Sequence, residues 1–282
     1  MKCEERKRLI KTENIRWIGI KLLINLLNLS STMDTEQIRF ILANQEGTTQ
    51  FANSTLITGF YGVGKCGYIA VNHLVKILNA KRAGVILTKE LPPFISVKGE
   101  NLVFPFEIYV AKTDSGEKLT LLLPSFEPYK TEQQAFAKAV VEWSKEVNID
   151  EIILIGGLDS RLKKDDTIGR ALWTQAYKEQ GKDTLLPKFE EGLYLTGPLA
   201  LLIMFSELQN VPALGLLTYA ERSRPDPIAA ANAIKLLGLL FDTEFDVEEL
   251  GKEAARIEEE IQQILSATTE EENEEHDRGL FA

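Results

Sequence analysis

A glycine-rich segment, Leu56–His73, constrains the fold of this chain more than any other feature. It opens with the apolar run Leu56–Thr58, which is typical of the end of a buried strand. Four glycines follow within nine residues: Gly59, Gly62, Gly64 and Gly67. Apolar residues then recur at helical spacing: Ile69, Val71, Leu74, Val75 and Leu78. A strand, a glycine turn and a helix in this order begin a βαβ unit, and the N-terminus of such a helix favours anions.

The first of two nucleotide-binding motifs in this segment is incomplete. Residues Gly59 to Lys65 have the spacing of the phosphate-binding loop, but Cys66 stands where that loop requires Ser or Thr. The missing hydroxyl is a magnesium ligand, and a neutral thiol is a poor ligand for so hard a cation. The later strand Glu151–Ile155 runs into Gly156 instead of ending in the Asp that would complete a magnesium site.

The second motif, Gly62-x-Gly64-x-x-Gly67, has the spacing of the dinucleotide fingerprint. That fingerprint needs an acidic residue at the end of the next strand, about 20 residues on. The strand Ala83–Leu87 ends in Thr88–Lys89 instead. Two interpretations stay open. The glycines only permit a tight turn and close packing of helix on strand, or the chain is a nucleotide- or nucleoside-binding enzyme whose ligand loop consists of Gly59, Gly62, Gly64 and Lys65.

Apolar runs and helical patterns alternate along the rest of the chain. The apolar runs predict strands at Ile38–Leu42, Leu56–Thr58, Ala83–Leu87, Glu107–Lys112, Leu119–Leu123, Glu151–Ile155, Gly192–Thr196 and Ala213–Tyr219. The helical patterns predict helices at Gly64–Asn79, Thr131–Val147, Ile168–Gln180, Pro198–Gln209 and Pro227–Phe241. A turn signal at 114–117 predicts a hairpin between the fourth and fifth strands. This alternation predicts an α/β fold, a three-layer αβα sandwich with a mixed, mostly parallel sheet.

The charge and cysteine content exclude several function classes. The net charge of −10 argues against nucleic-acid binding, which needs basic surface. Asp242–Arg278 holds 15 acids and 3 bases, a net of −12, so the remainder of the chain is close to neutral. Two cysteines (Cys3 and Cys66) and two histidines (His73 and His276) make neither a disulfide framework nor a zinc cluster. We therefore expect no metal site, no cofactor, no catalytic residue and a reducing, cytoplasmic environment.

The first 33 residues differ from the rest. The basic segment Lys2–Arg16 precedes the mostly apolar Trp17–Leu29, an order that imitates a signal peptide, but no small-residue cleavage site follows. The apolar stretch is shorter than the about 20 residues that span a bilayer, so we expect no membrane partner. We interpret residues 1–33 as an N-terminal extension with the true start at Met33, and a peripheral amphipathic helix is the alternative.

A heptad-like pattern predicts an oligomerisation helix at residues 243–266. Its apolar positions are three and four residues apart in turn: Val247, Leu250, Ala254, Ile257, Ile261 and Ile264. Charged residues cover the other faces, so these six positions form an a/d seam of about three heptads. A stripe of this length needs a partner. The helix either lies back on its own core or pairs with the same helix of other subunits.

Three separate blocks resemble the proteasome-assembly-chaperone family, in its archaeal branch related to the second assembly-chaperone subunit type. They are TGFYGVGKCGYIAVNHL at Thr58–Leu74, EIILIGGLD at Glu151–Asp159 and LTYAERSRPDPIAAA at Leu217–Ala231. The resemblance covers residues 36–241. It implies an α/β fold similar to nucleoside phosphorylases, a binding protein rather than an enzyme, and homo-oligomers, which favours pairing of the seam between subunits.

The C-terminal residues carry a second resemblance. Residues 267–282 form an acidic segment that cannot bury enough apolar surface to order itself, so we expect a flexible tail. Its last residues, Leu280–Phe281–Ala282, resemble the hydrophobic–tyrosine–any-residue terminus with which proteasome activators enter pockets of the 20S α-ring. Phe281 departs from that pattern because it lacks the tyrosine hydroxyl. Together with the α/β domain at 34–242, these resemblances imply a proteasome assembly chaperone or an ATP-independent activator.

Overall fold

A computed structural model describes residues 38–42, 47–93, 95–99 and 101–259. The chain divides into two units, residues 1–39 and 40–282. The predicted N-terminal extension and the tail with Leu280, Phe281 and Ala282 lie outside the described residues, as do the seam positions Ile261 and Ile264.

The strands and helices follow the predicted order along most of the chain. The strands are β1 (Arg39–Leu42), β2 (Thr55–Gly59), β3 (Lys81–Leu87), β4 (Ser96–Lys98), β5 (Asn101–Val103), β6 (Phe106–Lys112), β7 (Lys118–Pro124), β8 (Glu151–Asp159), β9 (Gly169–Trp173) and β10 (Ala213–Ala220). The helices are α1 (Cys66–Ile77), α2 (Gln133–Glu146), α3 (Gln175–Glu179), α4 (Pro198–Leu208), α5 (Pro227–Leu240) and α6, which occupies residues 248–259.

Eight strands form one mixed sheet in the order β1-β3-β6-β7-β2-β8-β10-β9, and β4 pairs with β5 in a separate hairpin. The central strands β7, β2, β8 and β10 run parallel. β6 pairs antiparallel with β7 through a tight turn, which confirms the predicted hairpin. β3 with β6, and β9 with β10, are antiparallel as well. A mixed sheet is confirmed, but the prediction of a mostly parallel one is wrong, because short connections reverse the strands on both sides of the parallel centre.

Helices cover both faces of this sheet. α1 and α5 pack together on one face, where their buried residues join Ile153 and Ile155 of β8. α2 and α4 pack together on the opposite face, where Leu199 and Leu217 meet over Gly156. The carboxyl ends of the parallel strands β2, β8 and β10 therefore lie side by side at one edge of the sheet, with the start of α1 directly above them.

Three local predictions are wrong. The segment 168–180, expected as a helix, is the edge strand β9 followed by the short helix α3, because pairing with β10 satisfies the backbone of the strand. Residues 192–196, expected as a strand, contain none. Residues 96–98 and 101–103, for which no strand was predicted, form β4 and β5.

Candidate functional site

The glycines of the turn Gly59–Gly67, called the glycine turn below, allow backbone segments to touch. A Cβ atom on Gly67 would lie 2.3 Å from the carbonyl oxygen of Ile155 on β8, and one on Gly59 would lie 2.5 Å from the Cα atom of Gly67. Gly64 adopts φ +62°, and a Cβ there would meet Ala220 at 2.9 Å. The close-packing interpretation of the motif thus has a direct geometric basis.

Four backbone N–H groups in and just after the glycine turn bond within the chain. The Gly62 N–H donates to the Phe60 carbonyl oxygen (2.9 Å) and the Lys65 N–H to that of Gly62 (3.0 Å). The N–H groups of Cys66 and Tyr68 donate to carbonyl oxygens of the same turn. A phosphate cradle needs such groups directed outward. With these four donors satisfied internally, the geometry argues against a nucleotide loop at Gly59, Gly62, Gly64 and Lys65.

Cys66 and Lys65 are placed in opposite environments. Cys66 is fully buried, and its thiol lies 3.1 Å from the Thr218 hydroxyl, which itself donates to the Ala229 carbonyl oxygen. Burial raises the pKa of the Cys66 thiol to about 12, so the thiol stays neutral. Lys65 is exposed, with Nζ 5.7 Å from the centroid of the Tyr61 ring. Cys66 therefore serves the core, and Lys65 lies at the surface.

The polar residues after β8 form ion pairs. Asp159 accepts two hydrogen bonds from the Arg161 side chain (Nη2 2.6 Å, Nε 3.0 Å) and one from the Arg161 backbone N–H (3.0 Å). These bonds hold the pKa of Asp159 far below its usual range. Arg222, after β10, lies 3.7 Å from the same carboxylate. A carboxylate held ionised in this way links two loops and is unsuited to general acid or base chemistry at neutral pH.

A buried arginine cluster lies beside these loops and was missed at the sequence level. Arg170 is 2% exposed, donates to the carboxylates of Asp165 and Glu190 (2.8 Å each) and stands 5.5 Å over the ring of Tyr219. Hydrogen bonds from Thr167 and then Arg170 lower the pKa of Asp165 to about 2. Glu190 is twenty residues from Arg170, so local spacing gives no sign of this pair. The cluster joins two surface loops to the edge strand β9.

The first part of the predicted seam lies on the chain's own core. Leu250 is 6% exposed, and Val247 packs against the same core cluster. Ala254 and Ile257 are partly exposed. Of the two alternatives for this helix, packing on its own core is therefore the one that holds at Val247 and Leu250. Ala254 and Ile257 remain candidates for contact between subunits.

Polar contacts fix the start of α6 against α1. His73 Nε2 lies 2.7 Å from the carbonyl oxygen of Asp246, so this nitrogen carries the proton and donates it. Lys76 pairs with Glu249, and Arg224 pairs with Glu258 at 3.0 Å. We call these contacts, together with Leu250, the α6 seat. A groove of about 610 Å³ runs between α1 and α6 beside Ile257.

Nowhere in the described part of the chain do three or more His, Cys, Asp or Glu side chains gather as metal ligands would. Among the helices described, none combines the length and the apolar character needed to cross a membrane.

A sequence profile of the PAC2 family matches residues 56–265, which include the glycine turn, the parallel strands and α6. The chain belongs to the PAC2 family. A protein of Methanocaldococcus jannaschii, MJ1210, is 21% identical over 229 residues, covering 80% of this chain and 89% of the relative.

Two crystal structures from Pyrococcus furiosus resemble this PAC2-family chain. PbaA, described as an archaeal homolog of proteasome-assembly chaperone, matches with a TM-score of 0.72 and 23% identity, covering 86% of this chain and 98% of PbaA. PbaB, described as an archaeal proteasome activator, matches with a TM-score of 0.66 and 18% identity, covering 81% and 99%. At these identities the likeness demonstrates a shared fold, and it extends over nearly the whole of each relative.

Proposed function

We propose that this PAC2-family chain is a proteasome assembly chaperone or an ATP-independent proteasome activator that acts by binding rather than by catalysis. The family match over residues 56–265 carries this proposal, and the descriptions of PbaA and PbaB support it. The internally bonded glycine turn and the ion-paired Asp159 also fit a binding protein. They offer neither an anion cradle nor a poised acid or base.

The partner in this proposal is the α-ring of the 20S proteasome, and the contact is made by Leu280–Phe281–Ala282. An apolar residue and an aromatic ring fill a groove, while the terminal carboxylate pairs with a basic side chain, which is a recognised mode of C-terminal capture. The acidic stretch before them, 268–278, offers no apolar anchor. These three residues are therefore the hydrophobic contact of the tail.

The chain acts as a homo-oligomer in this proposal, with Ala254, Ile257, Ile261 and Ile264 forming the intersubunit part of the seam. The α6 seat fixes where the helix leaves the body, so each subunit of a symmetric oligomer would direct its tail from an equivalent point. One tail buries little area and binds weakly. Several tails acting on one α-ring gain avidity, commonly about 10²–10⁴-fold over a single site.

The test is surface-plasmon resonance on immobilised 20S particles. Deletion of residues 280–282 should abolish or severely weaken binding, while the melting temperature and oligomer mass stay those of the intact protein. Phe281→Tyr is the matched variant and should tighten binding by restoring the missing hydroxyl. Equal binding by the intact and shortened proteins would refute the tail mechanism. No binding by either would refute the proteasome as partner.

A further inference from the structure

A pocket of about 490 Å³ lies between α1 and the β4–β5 hairpin, and the proposed function makes no use of it. Its volume is in the range of small-molecule sites. Its walls include Tyr61, Tyr68, Tyr109 and Phe126, and Val97 of β4 lies at its rim. We call it the tyrosine pocket.

A buried carboxylate stands in this pocket. Glu107 is 1% exposed, accepts a hydrogen bond from Arg82 Nη1 at Oε1 (2.8 Å) and accepts another from the Tyr109 hydroxyl at Oε2 (3.0 Å). Each carboxylate oxygen has a second lone pair for a further donor. Arg82 lies behind the carboxylate, over the ring of Phe104, and also donates to the Leu102 carbonyl oxygen of the hairpin. Among the described lining residues Glu107 is the one charged group, and its ion-pair partner Arg82 is not part of the lining, so the charge nearest the pocket is the carboxylate.

The aromatic side chains give the wall a second feature that attracts cations. The rings of Tyr61 and Tyr68 stack with centroids 4.3 Å apart and planes 19° apart. Aromatic faces carry negative charge density and attract ammonium groups within about 6 Å. Lys65 already occupies such a position over Tyr61, outside the tyrosine pocket. The Tyr109 hydroxyl donates a hydrogen bond to Glu107, and this bond raises the electron density of the Tyr109 ring.

We propose that the tyrosine pocket binds an organic ammonium group, as a free small amine or as a lysine side chain of a protein partner. The rings of Tyr68 and Tyr109 would contact the cation, because Tyr61 is already covered by the stacked Tyr68 ring and by Lys65, and Glu107 would supply the counter-charge. A quaternary ammonium suits the site well because it is large, apolar at its surface and weakly hydrated, so the rings replace little water. An anion is disfavoured because the described lining offers no basic side chain.

The first experiment compares choline with its neutral isostere 3,3-dimethyl-1-butanol by calorimetric titration of the full chain. Choline should bind in the millimolar range, and the alcohol about tenfold more weakly, because only choline gains the cation–π attraction. A peptide containing trimethyl-lysine is the third probe. Binding like that of choline would assign the site to free amines, and binding about tenfold tighter would assign it to a protein side chain.

Variants complete the test. Tyr68→Leu, at a half-buried ring, should weaken choline binding about tenfold, whereas Tyr194→Leu, at a ring 88% exposed and outside the pocket, should leave it unchanged. Glu107→Gln keeps the shape and removes the charge, and should also weaken binding. If that variant fails to fold, Tyr68→Leu still decides. The proposal is overturned if choline and the alcohol bind equally, or if Tyr68→Leu leaves choline binding unchanged. It is also overturned if choline does not bind at concentrations up to about 50 mM.

Discussion

The glycine turn and the α6 seat both lie against α1, yet they are built in opposite ways. The turn consists of backbone on backbone, with atoms so close that Gly67 has no room for a methyl group. The seat consists of one buried leucine, the hydrogen bond of His73 and two ion pairs whose side chains are 38–56% exposed. The first arrangement leaves no room for a side chain at Gly59, Gly64 or Gly67. The second holds α6 while Ala254 and Ile257 stay available for contacts. We therefore expect the glycine turn to matter for folding and α6 to matter for assembly.

The sharpest test of this contrast is Gly67→Ala. The new Cβ would meet the Ile155 carbonyl oxygen at 2.3 Å, so β8 or α1 must shift, and we expect a loss of about 4 kcal/mol or more in the free energy of unfolding. Gly62→Ala is the matched control, because nothing lies within 4 Å of its Cβ position and its φ is −85°. That change should stay within about 0.5 kcal/mol. Chemical denaturation measures both, and equal losses would contradict the packing argument.

Leu250→Ala addresses the seat and should cost about 2 kcal/mol, since a buried leucine is truncated at a site that relaxes more easily than the glycine turn. Lys252→Ala, on the exposed side of α6, is the control and should change stability little. Urea unfolding of the two variants provides the comparison. If Leu250→Ala proves as stable as the control, α6 does not depend on its own core.

The intersubunit part of the seam is tested by a double variant in which Ile257 and Ile261 are both replaced by Asp. Burying charges in an intersubunit stripe costs several kcal/mol when they are fully desolvated, so the oligomer should become smaller while secondary structure is retained. Size-exclusion chromatography with light scattering gives the mass. An unchanged mass with a collapse in thermal stability would place these residues on the chain's own core.

A smaller effect is expected from pH at the arginine cluster. Hydrogen bonds from Thr167 and Arg170 lower the pKa of Asp165 to about 2 in the folded chain, below the unfolded value of about 3.9. The lowered pKa stabilises the fold above about pH 4, and this contribution disappears as the pH falls toward 2. Asp165→Asn should therefore be less stable than the natural chain at pH 6, and the two melting temperatures should converge on acidification. A constant difference from pH 6 to pH 2 would contradict the assignment.

The smallest effect is expected for Lys65→Ala. Lys65 is exposed and its described contact is the Tyr61 ring, so both stability and binding to 20S particles should be unchanged. A nucleotide-dependent activity that disappears in this variant would reverse the roles assigned to the glycine turn and α6. Thermal shift with ATP and GTP on the natural chain is the companion measurement.

Periodicity was sufficient to predict the main architecture. The continuous apolar runs of β2, β8 and β10, and the helical faces of α1 and α5, report burial that local sequence encodes directly. β9 was misassigned because an edge strand is decided by its pairing with β10, whose paired residues lie 41 to 49 positions farther along the chain, and not by its own pattern. Arg170 with Glu190 was missed for the same reason. Glu107 gave a usable signal, since a lone carboxylate within the apolar run Phe106–Val110 needs a buried partner.

The α6 seat also has a consequence for folding while the chain is being synthesised. His73 and its partner Asp246 are 173 residues apart. At a synthesis rate of about 5–20 residues per second, the side of α1 that carries His73 therefore stays without the segment around Asp246 for roughly 10–35 s. During that interval the strands β8 and β10, against which the glycine turn packs, are themselves still being made. His73 and Lys76 on that side of α1 lack their partners Asp246 and Glu249 until this segment is made.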